Sequence, residues 1–532
     1  MKTKCLIFLL FLCTTTVFAQ NRYFVNQTTG NDSNDGKSWS KAFVTLQRAL
    51  DEVSTGDEIW VATGIYLPSK TIAEVDEEGN PLSERYATFL IPNGVKLFGG
   101  FPVQANNNTG MNGRNWEIHR TILSGDLNQD DGDDFTNMED NTYRVVLLYN
   151  TDESTLIDGF TITAGNADYP VLPGMLQGSG ICAISNGPVS NPALKNLIIE
   201  GNVSRGGGAG FSNYTTQAAC PMISNTIFRN NKSGEYGGGF ANYGTKKSSP
   251  ILENVIISGN QAFNGGGMYC LSESTETSPV FFNVLVHGNL AENRAGGIYL
   301  HSYQGNVKPM ITNTTISGNK AGARGIGNGG GLYCIADVAI SSPEIRNTVI
   351  WDNKAIEYND FHNIGAQGSN PDIQFSLISD RVAFPQYRLY YPFIDAINPD
   401  LAPTTAGNYQ PRPKEVLIIN KGSNTFVPAT MTADLAGKPR IFDQTVDIGA
   451  FECQEKSTTG ILETNVEKNI WAEGGNLYVR IVRPATVRIF SVDGILVQQV
   501  NLPAGTKAIS LPAGLYFVSL NNETATKVYI LK

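Results

Sequence analysis

Apolar residues in this chain come in runs too short for helices, and the runs recur on a fixed beat. Leu197-Ile-Ile and Val255-Ile-Ile are representative, each closed off by Gly, Asn, Ser or Pro. Such Ile- and Val-rich runs bounded by turn residues predict strands of three to five residues. No window of the repeat carries a helical period long enough to stand as a helix. A Pro-x-x-x-Asn phrase marks the beat, running from Pro192 to Asn196, Pro221 to Asn225, Pro250 to Asn254, Pro279 to Asn283, Pro309 to Asn313 and Pro343 to Asn347. The prolines are 29, 29, 29, 30 and 34 residues apart. A second asparagine closes each unit (Asn202, Asn231, Asn260, Asn289, Asn319, Asn353), and a Gly-rich phrase follows the first five.

A period of this size means units that bury their apolar faces only by stacking on neighbours. Some 29 residues hold three short strands and three turns, one coil of a parallel β-helix. With coils about 4.8 Å apart, Asn196, Asn225, Asn254, Asn283, Asn313 and Asn347 are expected to form a structural ladder, each amide bonding to the next coil. Asn tolerates the left-handed backbone such turns need.

Either side of the repeats the pattern changes. Residues 20–100 read as an N-terminal cap and first coils, in which Ser40 can cap a helix carrying Phe43, Leu46, Ala49, Leu50 and Val53 on one face. A helix there would cover unpaired strand edges at the open end of the solenoid. Residues 101–453 carry the β-helix and a closing segment, 454–467 a polar linker. From 468 to 532 longer alternating strands such as Leu477-Tyr-Val-Arg-Ile481 predict a small Ig-like antiparallel sandwich.

Composition agrees with turn-rich β structure: 55 glycines, and only 17% charged residues among 532. Lys2 and Lys4, an apolar run from Leu6 to Leu12, and Val17-Phe18-Ala19 read as a signal peptide of residues 1–19. Its removal deletes two positive charges and takes the net charge from −10 to −12. That balance disfavours nucleic acid and anionic membranes as partners. No later segment is apolar over the roughly 20 residues a membrane span needs. The five remaining cysteines, odd in number and scattered, are not a disulfide framework. Cys270 and Cys334 sit two coils apart, beyond disulfide reach.

Two resemblances sharpen this picture. Gly30-Asn-Asp-Ser-Asn-Asp-Gly36, Thr45-Leu-Gln-Arg-Ala-Leu50, Gly64-Ile-Tyr66 and Leu156-Ile-Asp-Gly-Phe-Thr-Ile-Thr163, with the repeat array, resemble secreted right-handed parallel β-helix proteins of the pectin-lyase-like superfamily. Val487-Arg-Ile-Phe-Ser-Val-Asp-Gly494, Leu511-Pro-Ala-Gly-Leu-Tyr-Phe-Val518 and Lys527-Val-Tyr-Ile-Leu-Lys532 are similar to the C-terminal sorting domain of type IX secretion. The second resemblance implies type IX machinery as a partner and passage across both membranes to the cell surface or medium.

The first leaves function open, because such solenoids host polysaccharide lyases, glycoside hydrolases and non-catalytic adhesins. No carboxylates share a column along the array. The column ahead of the closing Gly-Asn runs Glu200, Arg229, Ser258, His287, Ser317, Trp351, a variegated surface row in which His287 reads as a solvated turn residue. Tyr214, Tyr243, Tyr269, Tyr299 and Tyr333 fall at positions of one parity, so all five rings are expected on the outer face, as an exposed platform for a polysaccharide or surface glycan or stacked on one another. Asp126, Asn128 and Asp130 alternate as oxygen ligands of calcium do, although the loop lacks the EF-hand glycine position and its twelfth-position Glu; the other reading is a solvated acidic loop. The expectation is an exported β-helix that binds carbohydrate or a surface, with a polysaccharide lyase or hydrolase as the alternative.

Overall fold

A computed structural model describes residues 20–73, 82–168 and 177–378 (apart from 188, 326, 367 and 368), 411, 418–455, and 470–530 apart from 474–475, 482–483, 493–494 and 521–525. The proposed signal peptide, most of the linker and most of the Pro- and Tyr-rich stretch 386–430 lie outside these residues. The chain divides into two units, residues 1–456 and 457–532.

The first unit is a parallel β-solenoid. Three long sheets of eleven, ten and nine strands run along it, with two five-stranded sheets of two-residue strands at the corners. One coil shows the plan: Ala193–Lys195, Ile198–Glu200, Val203–Ser204, Phe211–Thr215 and Ala218–Ala219. The sequence pattern anticipates the three longer strands and misses the two corner strands, which are too short to show a period. Each strand pairs in parallel with its equivalent in the next coil, as Phe211 does with Phe240, and Phe240 with Met268.

Inward residues make one continuous core from Tyr23 to Ile378. Within it Phe211 and Phe240 stack with centroids 5.1 Å apart and planes 3° apart. Cys182, Cys270 and Cys334 are buried free thiols that pack as small apolar groups.

Both sets of repeated asparagines form ladders, and they differ. The Asn196 set sits at positive φ, from 47° to 55°, as the turn demands. Its amides bond in order from Asn225 to Asn196 at 3.2 Å, Asn254 to Asn225 at 3.1 Å, Asn283 to Asn254 at 3.1 Å, and Asn347 to Asn313 at 3.1 Å. At the Asn283–Asn313 step the amides turn instead to the closing segment, meeting Ala433 O and Met431 Sδ. The closing asparagines are the deeper ladder. Asn202 donates to Asn231, Asn231 to Asn260, Asn260 to Asn289, Asn289 to Asn319 and Asn319 to Asn353, at 2.8–3.0 Å. Asp360 ends the row by accepting from Asn353 at 2.9 Å.

The cap helix is shorter than its apolar pattern suggests. It spans Leu46–Leu50 and is capped by Thr45, whose Oγ1 accepts from Arg48 N at 3.2 Å. Ser40 lies in the separate turn Trp39–Lys41 and caps nothing. Asp32 is the reason: its carboxylate accepts from the N–H groups of Val44 and Thr45 and holds the chain extended up to Thr45. Phe43, Leu46, Ala49 and Leu50 still enter the solenoid core, and Val53 packs against it.

In the second unit, the described residues between 470 and 530 form a sandwich of two antiparallel sheets. Ile470–Glu473, Asn476–Ile481 and Gly505–Ser510 make one; Leu496–Leu502, Ala485–Ser491, Gly514–Leu520 and Thr526–Ile530 make the other, in that spatial order. Leu477, Val487, Ile489, Val518 and Ile530 are among its buried residues.

Candidate functional site: an aromatic face and an acidic groove

The five tyrosines project outward from the nine-stranded sheet, as their parity requires. Tyr269, Tyr299, Tyr333 and His362 share one column, and Tyr214, Tyr243, Leu271, His301 and Ile335 the next. They are not an exposed platform. Tyr269, Tyr299 and Tyr333 are 6%, 4% and 1% exposed and form, with Leu271 and Ala295, a second apolar cluster outside the solenoid core. The reason is ring packing at coil spacing, edge-on between Tyr269 and Tyr299 and stacked between Tyr299 and Tyr333, plus cover from the Gly-rich corner. Tyr299 lies 5.1 Å from Tyr269 and 5.0 Å from Tyr333, and Tyr333 lies 4.9 Å from His362. The Arg294 guanidinium sits 5.9 Å from the Tyr333 ring. Tyr214 and Tyr243 are half-buried and stacked at 4.7 Å.

Three aromatic residues that the sequence pattern did not single out cover this layer. Tyr236 stacks on Tyr269 at 4.7 Å, Tyr303 meets His301 edge-on at 4.5 Å, and Tyr358 stacks on His362 at 3.8 Å. They are 38%, 46% and 39% exposed. Each stands in a turn outside the repeating strands, so no column announces it. Tyr236 and Tyr303 both lie close enough to Tyr269 to act on its hydroxyl, which burial first, then Tyr299, Tyr303 and Tyr236, hold far above its ordinary pKa. Polar groups flank the rings: Arg294 hydrogen-bonds Tyr299, and Asp337 Oδ2 lies 3.1 Å from His301 Nε2. Burial lowers the pKa of His301, partly offset by Asp337. Burial, helped by the charge of Arg294, takes His362 to about 4.

The groove lies elsewhere. The acidic loop 126–140 stands against a solenoid corner, and together they enclose about 530 Å³. Asp131, Asp133, Asp134 and Phe135 line one wall; Asn230, Lys232 and Gln261 line the other. Carboxylate oxygens of Asp126, Asp130 and Asp140 come within 4.8 Å of one another. Asn128 enters through its backbone, its N–H donating to Asp140 Oδ2 at 2.9 Å. Asp140, ten residues beyond Asp130, is the member that alternate spacing could not reveal. Asp131 is raised to about 6, by burial above all and then by Asp126, Asp140 and Asp130, against a hydrogen bond from Asn141.

The column Glu200, Arg229, Ser258, His287, Ser317, Trp351 is in register as expected. Its His287 is not a turn residue but ends the strand Leu285–His287, half-buried, and that burial takes its pKa to about 4.

Comparison with solved structures finds distant likenesses only. Pectate lyase Pel9A matches with a TM-score of 0.33 and 14% identity, covering 82% of this chain and 97% of that one. XylC in complex with xylose gives 0.31 and 11%, over 81% and 98%, and a rhamnogalacturonan lyase 0.29 and 11%, over 67% and 87%. No protein-family model matches the sequence, and no curated protein is similar to it. At such identities and scores nothing of those proteins' activities transfers to this chain.

Proposed function

We propose that this chain is an exported β-helix protein that binds a polysaccharide or surface glycan on the outer face of its nine-stranded sheet. The observation that carries the reading is the pair Tyr236 and Tyr303, both part-exposed, the first stacked on the buried Tyr269 and the second edge-on to His301. An aromatic ring offers an apolar face to the C–H side of a sugar, and neighbouring polar tips bond its hydroxyls. Here the buried layer fixes the rings in advance, so little side-chain freedom is lost on binding. Arg294 and Asp337 supply a donor and an acceptor beside them. A glycan array followed by calorimetry on its best ligand tests the reading; absence of binding to any polysaccharide or oligosaccharide overturns it.

A second reading, glycan cleavage, is favoured by one observation: Asp131, Asp133 and Asp134 share a groove large enough for sugar rings. Hydrolysis needs two facing carboxyl groups. Assays following new reducing ends and new unsaturated chain ends, on wild type and on Asp133→Asn with Asp134→Asn, separate it from simple binding.

For export, the sandwich between residues 470 and 530 stands where the resemblance to type IX sorting domains falls. Deleting the chain from Lys468 onward should leave a folded solenoid in the periplasm. Wild-type amounts of the truncated protein on the surface or in the medium would refute a sorting role.

A further inference from the structure

We infer, building on the glycan-binding reading, that the groove beside the loop 126–140 is a second sugar subsite. With the aromatic face it takes one linear oligosaccharide that carries no anionic group. The cavity encloses about 530 Å³, within the roughly 300–1,000 Å³ of ligand pockets. Its floor and walls, more than its charge, are built for a ring.

The floor is one column of turn residues, Ala164, Gly201, Asn230 and Gly259, each following a strand in register with the next. All four hold left-handed backbone, with φ of 62°, 67°, 54° and 64°. Two glycines and an alanine leave space above the floor, and Asn230 sets a single amide among them. Phe135 lines the loop side, 36% exposed and itself at φ 62°. A bulky side chain rarely adopts that conformation, and strain of this kind is kept where a surface is used. An aromatic ring offers the C–H side of a sugar an apolar face, and the amides of Asn230 and Gln261 suit its hydroxyls.

The groove and the aromatic face meet along one coil. Lys232, on the corner strand Lys232–Ser233, lines the groove, and Tyr236 of the same coil stacks on Tyr269. The four residues from Lys232 to Tyr236 reach at most about 14 Å, so one short chain can touch both. Charge then selects the chain. Among the described lining residues Lys232 is the one cation, against Asp131, Asp133 and Asp134. Glu235 follows on the way to Tyr236. On the face, Arg294 already bonds Tyr299 and feels the charge of Asp337. A uronate or sulfated chain would add negative charge to this surface, and like charges set against each other reject a ligand. Hydroxyl and ammonium groups instead find acceptors in the same carboxylates.

The test is calorimetry on the whole mature chain with linear di- and hexasaccharides of glucose, mannose, glucosamine and glucuronic acid. At least one neutral or amino hexasaccharide should bind about tenfold or more tighter than its own disaccharide, because its tethered end fills the second subsite. It should also bind about tenfold or more tighter than the glucuronic acid hexasaccharide. Tighter binding of the glucosamine chain that weakens with added salt assigns the contact to ammonium groups; tighter, salt-independent binding of a neutral chain assigns it to hydroxyls. Phe135→Gly with Asn230→Gly keeps φ values that glycine adopts freely, and should bring the hexasaccharide down to the affinity of the disaccharide. Asp133→Lys with Asp134→Lys should turn the preference towards the glucuronic acid chain, a gain that misfolding cannot produce. Hexasaccharides no tighter than disaccharides, a glucuronic acid chain bound as well as the others, or a glycine double variant that binds like wild type overturns the groove subsite and leaves the aromatic face standing. Failure of every probe overturns it as well, and the glycan array then decides the face separately.

Discussion

The Tyr236 ring stacks on that of Tyr269 with centroids 4.7 Å apart and planes 29° apart, the upper ring 38% exposed and the lower 6%. One ring meets solvent while its neighbour is part of an outer core, so the two should respond in opposite ways to removal. Tyr236→Ala with Tyr303→Ala should abolish glycan binding and change stability by about 0.5 kcal/mol or less per site, as exposed substitutions do. Tyr269→Ala should cost about 3 kcal/mol or more, as buried aromatic truncations do. Chemical denaturation beside calorimetry measures both. Binding that survives the double change removes the aromatic face as the site.

The two asparagine ladders make a second contrast. Asn260 accepts from the backbone and side chain of Asn231, and donates to Phe228 O and Asn289 Oδ1, at 2.9–3.1 Å. Asn260→Ala leaves buried donors and acceptors unmatched and should cost about 2–3 kcal/mol or more. Asn254 serves mainly to hold φ at 55° in a partly exposed turn. Asn254→Gly keeps that conformation freely and should cost under about 1 kcal/mol. Urea midpoints of the two variants check the order; a larger loss at 254 would contradict it.

How much of this was legible in the sequence follows from what repeats and what does not. The Pro-x-x-x-Asn beat predicts coils, register and the outward parity of Tyr269, Tyr299 and Tyr333, because each is a consequence of period and of strand geometry. Burial of those rings is not, since it depends on how they pack on one another beneath the Gly-rich corner, and Tyr236 and Tyr358 reach the layer from turns that carry no period. The same limit applies to Asp140, which reaches Asp126 and Asp130 only through the folded loop. It applies again to Ser40, where spacing suggested a cap and the Asp32 carboxylate moved the helix start to Leu46.

Histidines give the solenoid a predicted acid sensitivity. Burial takes His287 and His362 to about 4, with Arg294 adding to the effect at His362. An unfolded chain binds those protons near the ordinary value of about 6.5. The folded value is the lower, so the neutral form is favoured by folding: the full contribution holds above pH 6.5 and is lost as pH falls towards 4. Each histidine should account for about 1–3 kcal/mol across that window. Melting His287→Gln and wild type at several pH values between 7.5 and 4 isolates one of them. A variant whose curve falls as steeply as wild type would show that His287 charges freely in the fold.

A buried ion pair fastens the closing segment. Arg440 and Glu452 are 1% and 0% exposed and 3.3 Å apart. Glu452 also accepts from Phe442 N and Asp447 N at 2.9 Å, and Arg440 donates to Asp447 O at 3.0 Å. The pair lies mostly within its segment, with Arg440 Nη1 also donating to Asn283 Oδ1 at 3.4 Å, while Asn283, Asn313 and Asn347 join that segment to the coils. Removing one charge strands the other away from water, a cost of about 3–5 kcal/mol. Glu452→Gln should consequently release residues 418–455 before the coils melt, because the two ladders and the phenylalanine stack do not depend on the pair. Limited proteolysis should then cut wild type slowly in this segment and the variant rapidly, with the far-ultraviolet β signal unchanged at the first cut. Replacing the pair together, Arg440→Met with Glu452→Leu, should restore resistance in part, since an apolar pair of similar volume leaves no orphaned charge. Equal cutting rates in wild type and Glu452→Gln would show that the asparagine contacts alone hold the segment.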